Sequence, residues 1–355
     1  MRARARAASE RGETAEAVRI LQQATELLPR DPELWNDLGL ALQAGGDWQG
    51  AVTAYESAIR IDPRLYEPHL NLAVLLMQRG ISGRARSEFD EAVQAEPANP
   101  LVYWNYAAAL VDVGKPEQAR ELLVRALELD PDFGPAHAEM GRVEALSGHH
   151  QAALAHFARA ESLGVSSPSF HANYGLELLQ VGRWRQAEVE LQRSTALDSS
   201  RAAVWNHLGV ARLRAGDDAA AIEAMQRARV LAPADEDIRF NLANTLLRME
   251  RWAEVDALLR QPEPRRGDLL AIHGMALRGL GRTQEALLLL QQAAERLPRD
   301  TDVLNNYGVL LAEADDLEHA LEVWRRVLEI DPTNAVARAN LEARGASPDG
   351  SRRKE

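Results

Sequence analysis

Cysteine is absent from the sequence, which excludes disulfide bonds and thiolate metal sites. Aromatic residues make up only 5% of the chain, and no apolar run approaches the roughly 18 residues that a membrane-spanning helix requires. The opening residues, MRARAR, are basic, but no apolar segment follows them, so they do not form a secretory signal. We therefore predict a soluble, cytoplasmic chain without a membrane span.

An excess of positive charge and the common catalytic motifs are also missing. The formal net charge is -12 at pH 7, whereas proteins that bind nucleic acid backbones carry clustered Lys and Arg. The sequence has no H-E-x-x-H, G-x-S-x-G, Walker A or dinucleotide-binding glycine motif. We therefore predict no enzyme activity, no cofactor, no metal site and no nucleic acid partner.

A glycine that recurs every 34 residues organises the chain. A small residue follows each glycine by five positions, a larger apolar residue by nine and a second small residue by twelve, as Ala51, Tyr55 and Ala58 follow Gly46. A fixed period of 20 to 50 residues is the signature of a solenoid. The glycine suits the left-handed turn after a helix, and small residues let two helices approach closely. The seven glycines in register are Gly12, Gly46, Gly80, Gly114, Gly148, Gly182 and Gly216.

Residues 32–65 show the repeat most clearly. They contain, in order, Trp35, Leu38-Gly39, Leu42, Gly46, Ala51, Tyr55, Ala58 and Pro63. This order resembles the tetratricopeptide repeat (TPR), with its W-x2-L-G pattern followed by small, aromatic, small and proline positions. The resemblance implies an all-α fold, an α-α superhelical solenoid of about ten helix-turn-helix repeats with a C-terminal capping helix.

The period also predicts the boundaries of the repeats. An atypical first repeat is predicted at 1–31, a short repeat at 236–266, a capping helix up to residue 344 and a disordered tail at 345–355. In the short repeat, Pro262 and Pro264 end the second helix early. This shortening is either a harmless deletion in a connector, or a change of pitch or a hinge that divides 1–260 from 267–344. The regular repeats are 32–65, 66–99, 100–133, 134–167, 168–201, 202–235, 267–300 and 301–334.

One position on the first helix of each repeat is rich in asparagine. It directly precedes the Leu-Gly or Leu-Ala pair, and asparagine is a mediocre helix former, so helix propensity does not explain its choice. The resemblance to the TPR implies that the first helices line a concave groove. The ten residues at this position are Asp37, Asn71, Asn105, Glu139, Asn173, His207, Asn241, Ile272, Asn306 and Asn340.

A carboxamide offers both a hydrogen-bond donor and an acceptor, so a series of them can hold the main chain of an extended peptide. The series resembles the asparagine ladder in the TPR arm of the O-linked N-acetylglucosamine transferases, although Glu139 and Ile272 interrupt it. The alternative is that these asparagines form hydrogen bonds between adjacent helices. At the preceding position, Trp104 and Phe240 are either binding anchors or rings half-buried against the next repeat. The predicted groove residues are Asn36, Asn71, Trp104, Asn105, Asn173, Asn206, His207, Phe240, Asn241 and Asn306.

The charges on the first helices predict the chemistry of the partner. Acidic residues lie on the early repeats and arginines on the late ones, which predicts a partner with a basic segment at one end. In TPR domains that clamp the acidic tails of heat-shock chaperones, Lys and Arg occupy set groove positions. Here those positions hold residues such as Asn36 and Leu70, so that role is not expected. The early residues are Glu33, Asp37, Glu67, Asp112 and Glu139, and the late ones are Arg214, Arg248 and Arg278.

Nine histidines raise the question of a metal or catalytic site. His69, His137 and His171 occupy the repeat position that holds Trp35 and Trp205 in other repeats, which indicates packing. We therefore predict a non-enzymatic scaffold that binds a protein or peptide partner as an extended segment. The alternative is a regulatory or substrate-recruiting subunit of an enzyme on a separate chain, for example a protein glycosyltransferase. RNA binding, as in the pentatricopeptide repeats, is disfavoured by the acidic charge. The sequence leaves the oligomeric state open.

Overall fold

The structure, a computed structural model, describes residues 1–262 and 264–344, and the predicted disordered tail at 345–355 lies outside them. Within these residues the chain forms 21 helices and no strand. The all-α fold predicted from the 34-residue period is confirmed.

The chain divides into two compact units. The first unit ends at Val181 and the second begins at Gly182. This boundary falls between the two helices of the predicted repeat 168–201. The predicted role of residues 261–266 as a hinge stays a prediction.

Each repeat has a first helix and a second helix, and the unit that ends at Val181 contains six first helices and five second helices. The first helices are α1 (Arg2–Glu10), α3 (Pro32–Ala44), α5 (Tyr66–Gln78), α7 (Pro100–Asp112), α9 (Gly134–Leu146) and α11 (Pro168–Gln180). The second helices are α2 (Thr14–Leu27), α4 (Trp48–Ile61), α6 (Ser82–Ala95), α8 (Pro116–Leu129) and α10 (His150–Ser162).

The second unit continues the alternation and ends in the predicted capping helix. Its second helices are α12 (Trp184–Leu197), α14 (Asp218–Leu231), α16 (Trp252–Leu259), α18 (Thr283–Arg296) and α20 (Leu317–Ile330). Its first helices are α13 (Ala202–Arg214), α15 (Glu236–Arg248), α17 (Gly267–Gly279) and α19 (Thr301–Glu313), and α21 (Ala335–Glu342) follows them. Helix α16 has only 8 residues because the chain reaches the two prolines early.

The turn between the helices of a pair requires a left-handed backbone. The recurring glycine supplies it, with φ of +85° at Gly46 and +87° at Gly216. Two repeats place another residue at the same point and still adopt the turn, with φ of +56° at Glu250 and +64° at Asp315. The repeat geometry therefore sets the conformation of the turn even where the residue does not favour it.

The small and large signature residues form the contact between the two helices of a pair. In repeat 134–167, Ala153, Phe157 and Ala160 are buried on α10. A Cβ atom on Gly141 of α9 would lie only 2.7 Å from the ring of Phe157. The glycine in the Leu-Gly position therefore makes room for the large residue on the second helix.

Contacts between successive pairs follow one rule within each unit. A second helix packs on the first helix of its own pair and on the first helix of the next pair. The backbones of successive first helices also approach each other, whereas those of successive second helices do not, within the described residues. The first helices thus form a continuous surface in each unit, which we call the first-helix face. Every helix in residues 1–262 and 264–344 is too short or too polar to cross a bilayer.

Candidate peptide-binding face

Two pairs of asparagines connect neighbouring first helices. In the first unit, Asn71 Nδ2 donates a hydrogen bond of 2.9 Å to Asn36 Oδ1. In the second unit, Asn241 Nδ2 donates one of 3.2 Å to Asn206 Oδ1. For these four predicted groove residues, the structure shows the alternative interpretation, in which the asparagines form hydrogen bonds between adjacent helices. Each amide still has at least one N–H and further acceptor capacity after this bond.

Three other predicted carboxamides make no bond to a neighbouring helix. Asn105 Nδ2 donates to the carbonyl oxygen of Leu101 in its own helix, at 2.8 Å. Asn173 and Asn306 are partly exposed and have no side-chain hydrogen bond among the described residues. Open carboxamide groups therefore occur at the recurring position in both units.

The remaining residues at the recurring position differ in burial. His207 is partly buried, and burial lowers the pKa of its imidazole, so the ring is neutral at neutral pH. Glu139 and Ile272 are buried, which agrees with their interruption of the asparagine series. The series is therefore not uniform along either unit.

Each of the two predicted aromatic anchors contacts the last residue of its own repeat, directly before the next first helix begins. The ring of Trp104 packs edge-on against Phe133, with 6.1 Å between ring centroids. The ring of Phe240 lies under the guanidinium of Arg266, at 5.2 Å from its centroid. Both rings are partly exposed. These contacts cover part of each ring, and both the packing against the next repeat and the role as binding anchors stay predictions.

The histidines that share a position with Trp35 have a structural contact that the sequence did not predict. A side chain at this position donates to the carbonyl oxygen of the residue six positions earlier, in the loop before its helix. The donor can be an indole, an imidazole, a phenol or a guanidinium, so the shared feature is an N–H or O–H group near the end of a long side chain. The bonds are Trp35 to Pro29 (3.0 Å), His69 to Pro63 (3.2 Å), Tyr103 to Pro97 (3.0 Å), His137 to Pro131 (3.0 Å), Trp205 to Ser199 (3.0 Å) and Arg338 to Pro332 (2.8 Å).

Where this position holds such a donor, it ties the connecting loop to the helix that follows it. His171 is bonded differently, to the hydroxyl of Ser166 at 2.9 Å, because the loop before it has an altered turn. In the part of the chain that the structure describes, no three His, Asp or Glu side chains converge to form a metal site.

Three family models, each described as a tetratricopeptide repeat, match residues 2–66, 82–143 and 165–331. The chain belongs to the tetratricopeptide repeat family. The helix pairs, the turn at the recurring glycine and the small-to-large packing described above are the structural form of the TPR signature.

Curated TPR relatives are similar over part of their length. The chain is 27% identical to DnaJ homolog subfamily C member 7 from Mus musculus over 218 residues, 56% of this chain and 43% of that protein. It is 29% identical to BBSome complex member BBS4 from Bos taurus over 128 residues, 35% of this chain and 24% of that protein. The chain thus matches less than half the length of either relative.

A solved TPR structure shows the same fold. The C-terminal part of a TPR repeat-containing protein from Cytophaga hutchinsonii superposes with a TM-score of 0.54 and 17% identity. The match covers 67% of this chain and 99% of that one. At this identity the likeness concerns the fold alone. Membership of the TPR family supports the coarse assignment of a protein-interaction scaffold.

Proposed function

We propose that this TPR chain is a non-enzymatic scaffold whose first-helix face binds an extended polypeptide. The observation that supports the proposal is the set of open carboxamides at the recurring position, Asn105, Asn173 and Asn306. Each presents hydrogen-bonding atoms that no neighbouring helix uses. Burial of such atoms without partners costs free energy, so a partner that bonds them is favoured over one that only covers them.

The spacing of the helices suits an extended partner. Packed helices lie roughly 8–10 Å apart, and an extended chain rises about 3.3 Å per residue. One first helix therefore meets about every third residue of the partner. Main-chain N–H and C=O groups occur in every partner residue, so these contacts hold a backbone without selecting a sequence.

The test is a triple substitution of Asn105, Asn173 and Asn306 to Ala. Peptides are first selected on the wild-type chain from a random display library, and their affinities are measured by fluorescence anisotropy. We expect affinity to fall at least about tenfold, the equivalent of one or two lost hydrogen bonds. The melting temperature should change little, because none of the three side chains bonds to another helix.

The matched control is the double substitution of Asn71 and Asn241 to Ala. These two side chains donate the bonds between helices, so we expect a lower melting temperature and a smaller loss of affinity. If the triple variant binds with wild-type affinity and is instead destabilised, the recurring asparagines have a structural role and the proposal is wrong.

A further inference from the structure

A cavity of 290 Å³ opens on the first-helix face between α5 and α7. Its apolar wall includes Val74, Met77 and Ala109. Its polar lining consists of Gln78, Asn105 and Asp112. We call this cavity the α5–α7 pocket; it lies wholly within the first unit.

The α5–α7 pocket offers several hydrogen-bond acceptors. Asn105 uses one N–H to bond the carbonyl oxygen of Leu101, so its oxygen and its second N–H are left open. Asp112 is an exposed carboxylate whose Oδ1 accepts a hydrogen bond of 3.0 Å from Arg142 Nη2, and a carboxylate has further acceptor sites. Gln78 is exposed and can present either end of its amide.

The position of Asp112 argues against a purely structural role. It is the last residue of α7, where the exposed carbonyl groups carry partial negative charge, so a carboxylate there is unfavourable. Its pair with Arg142 is exposed, and exposed ion pairs contribute little stability. The structure thus gives no stability reason for a carboxylate at this place.

Arg142 is shared between two carboxylates. Its Nη1 donates a hydrogen bond of 3.3 Å to Oε2 of Glu139. The same nitrogen lies 3.2 Å from Oε1 of Glu139, but not in hydrogen-bonding geometry, so this buried oxygen has no hydrogen bond within the described residues. Burial raises the pKa of Glu139 despite the nearby guanidinium. A second cation at Asp112 would allow Arg142 to pair fully with Glu139, which relieves this deficit.

We propose that the α5–α7 pocket binds a lysine or arginine side chain of the extended polypeptide partner. The aliphatic part of such a side chain covers the apolar wall while its charged end donates to the acceptors at the rim. An aliphatic side chain would leave those acceptors desolvated without a donor, and an acidic one would be repelled by Asp112. This inference rests on the proposed function, because it assigns a specificity position to the same face.

The experiment selects peptides from a random display library on the full chain and on two variants, Asp112→Asn and Asp132→Asn. Asp132 is the matched control, since it is an exposed carboxylate of the first unit, 67% against 59% for Asp112, and is also paired with one arginine. It lies in the loop before α9, outside the first-helix face. We expect Lys or Arg at one position of the peptides selected by the wild type and by Asp132→Asn, but not by Asp112→Asn.

A selected peptide is then made with that Lys or Arg replaced by Met. We expect the replacement to weaken binding about tenfold on the wild type and much less on Asp112→Asn. Circular dichroism checks that Asp112→Asn keeps its helices. Ala108 also lines the pocket, so Ala108→Leu is a second variant that fills the pocket and leaves the charge of Asp112 in place; it should also remove the preference.

The outcomes separate this inference from the proposed function. If selected peptides lack a Lys or Arg preference, or if the preference survives Asp112→Asn, the pocket assignment is overturned while binding that depends on the three open asparagines still stands. If the wild-type chain selects no peptides, both proposals are wrong.

Discussion

Two polar side chains distinguish the contact between α16 and α17 from the equivalent contact between α14 and α15. Asp256 of α16 and His273 of α17 are both buried, and His273 Nε2 lies 2.8 Å from Asp256 Oδ1. In the contact between α14 and α15, the equivalent positions hold Ile222 and Leu242, which are buried in one apolar cluster. Asp256 also accepts a hydrogen bond of 2.7 Å from Arg282. A buried polar pair thus replaces an aliphatic pair at the same place in the repeat.

Removal of one partner from this pair should destabilise the second unit. Asp256→Ile leaves an imidazole buried without its acceptor, and His273→Leu leaves a buried carboxylate short of a donor. We expect each single variant to lose about 3 kcal/mol of unfolding free energy. The double variant, which copies the Ile222–Leu242 pair, should regain most of that loss because two buried apolar groups need no polar partner. Urea denaturation of all four proteins measures the coupling; additive single effects would show that the pair does not interact.

The same pair predicts a pH dependence. Burial alone would raise the pKa of Asp256, but the hydrogen bonds from His273 and Arg260 and the charges of the two nearby arginines lower it below its ordinary value of 3.8. A lowered carboxylate pKa contributes stability that is present above the unfolded pKa and is lost as pH falls through the folded one. The unfolding free energy of the wild type minus that of the double variant should therefore decrease as pH falls below about 4. It should stay constant between pH 5 and 6.

The helix pairs α5–α6 and α9–α10 have different polar contacts at the same two repeat positions. In α5–α6, His69 Nδ1 lies 2.8 Å from Glu88 Oε2. In α9–α10, the residues at the same two places are His137 and His156, with 3.0 Å between their Nδ1 atoms. Burial would lower the pKa of His69, but Glu88 raises it overall. Burial and the neighbouring His137 lower the pKa of His156.

These two helix pairs should respond to pH in opposite directions. The raised pKa of His69 stabilises α5–α6 below its ordinary pKa of 6.5, and this stabilisation is lost as pH rises through the folded pKa. The lowered pKa of His156 gives a contribution that is present above pH 6.5 and is lost as pH falls through the folded pKa. Hydrogen exchange between pH 5 and 8, corrected for intrinsic rates, measures the protection of α6 and α10 separately.

The variant His156→Glu isolates the cause. It places a carboxylate opposite His137, as Glu88 stands opposite His69, so the pH response of α10 should reverse and follow that of α6. Unchanged protection of α10 in this variant would mean that the histidine pair does not control its stability.

The stability of a repeat array depends on contacts between neighbouring repeats. At the end of the second unit, Ala337 and Leu341 of α21 are fully buried in one cluster with Trp324 and Val327. Asn305 Nδ2 also donates to Asn334 Oδ1, at 3.2 Å. Helix α21 therefore covers an apolar surface that the last helix pair would otherwise expose.

A truncation before Ala335 should destabilise the end of the array locally. Loss of one buried leucine typically costs about 2–5 kcal/mol, so we expect strongly faster hydrogen exchange in α19 and α20. The helices of the first unit should keep their protection, because in a repeat protein the loss is confined to the neighbouring repeats. A truncation after Arg344 keeps α21 and is the control. Equal loss of protection throughout the chain would contradict this local picture.

The period of 34 residues was sufficient to predict the helix pairs, the short α16 and the capping helix. It did not predict the hydrogen bonds from Trp35, His69 and their equivalents to the preceding loop. These bonds depend on a donor near the end of the side chain, and an indole, imidazole, phenol or guanidinium can supply it, so no single residue type marks the position.

The sequence alone determined the class of fold, because helix spacing and small-to-large packing repeat with a fixed local pattern, and the resemblance to the TPR implied the face on which a partner is expected. It left open what each asparagine bonds, and tertiary structure decided this. Asn71 reaches Asn36 on the neighbouring helix, whereas Asn105 turns back to its own. The choice depends on which acceptor lies within about 3 Å of an amide, a distance between helices that the order of residues in one repeat does not specify.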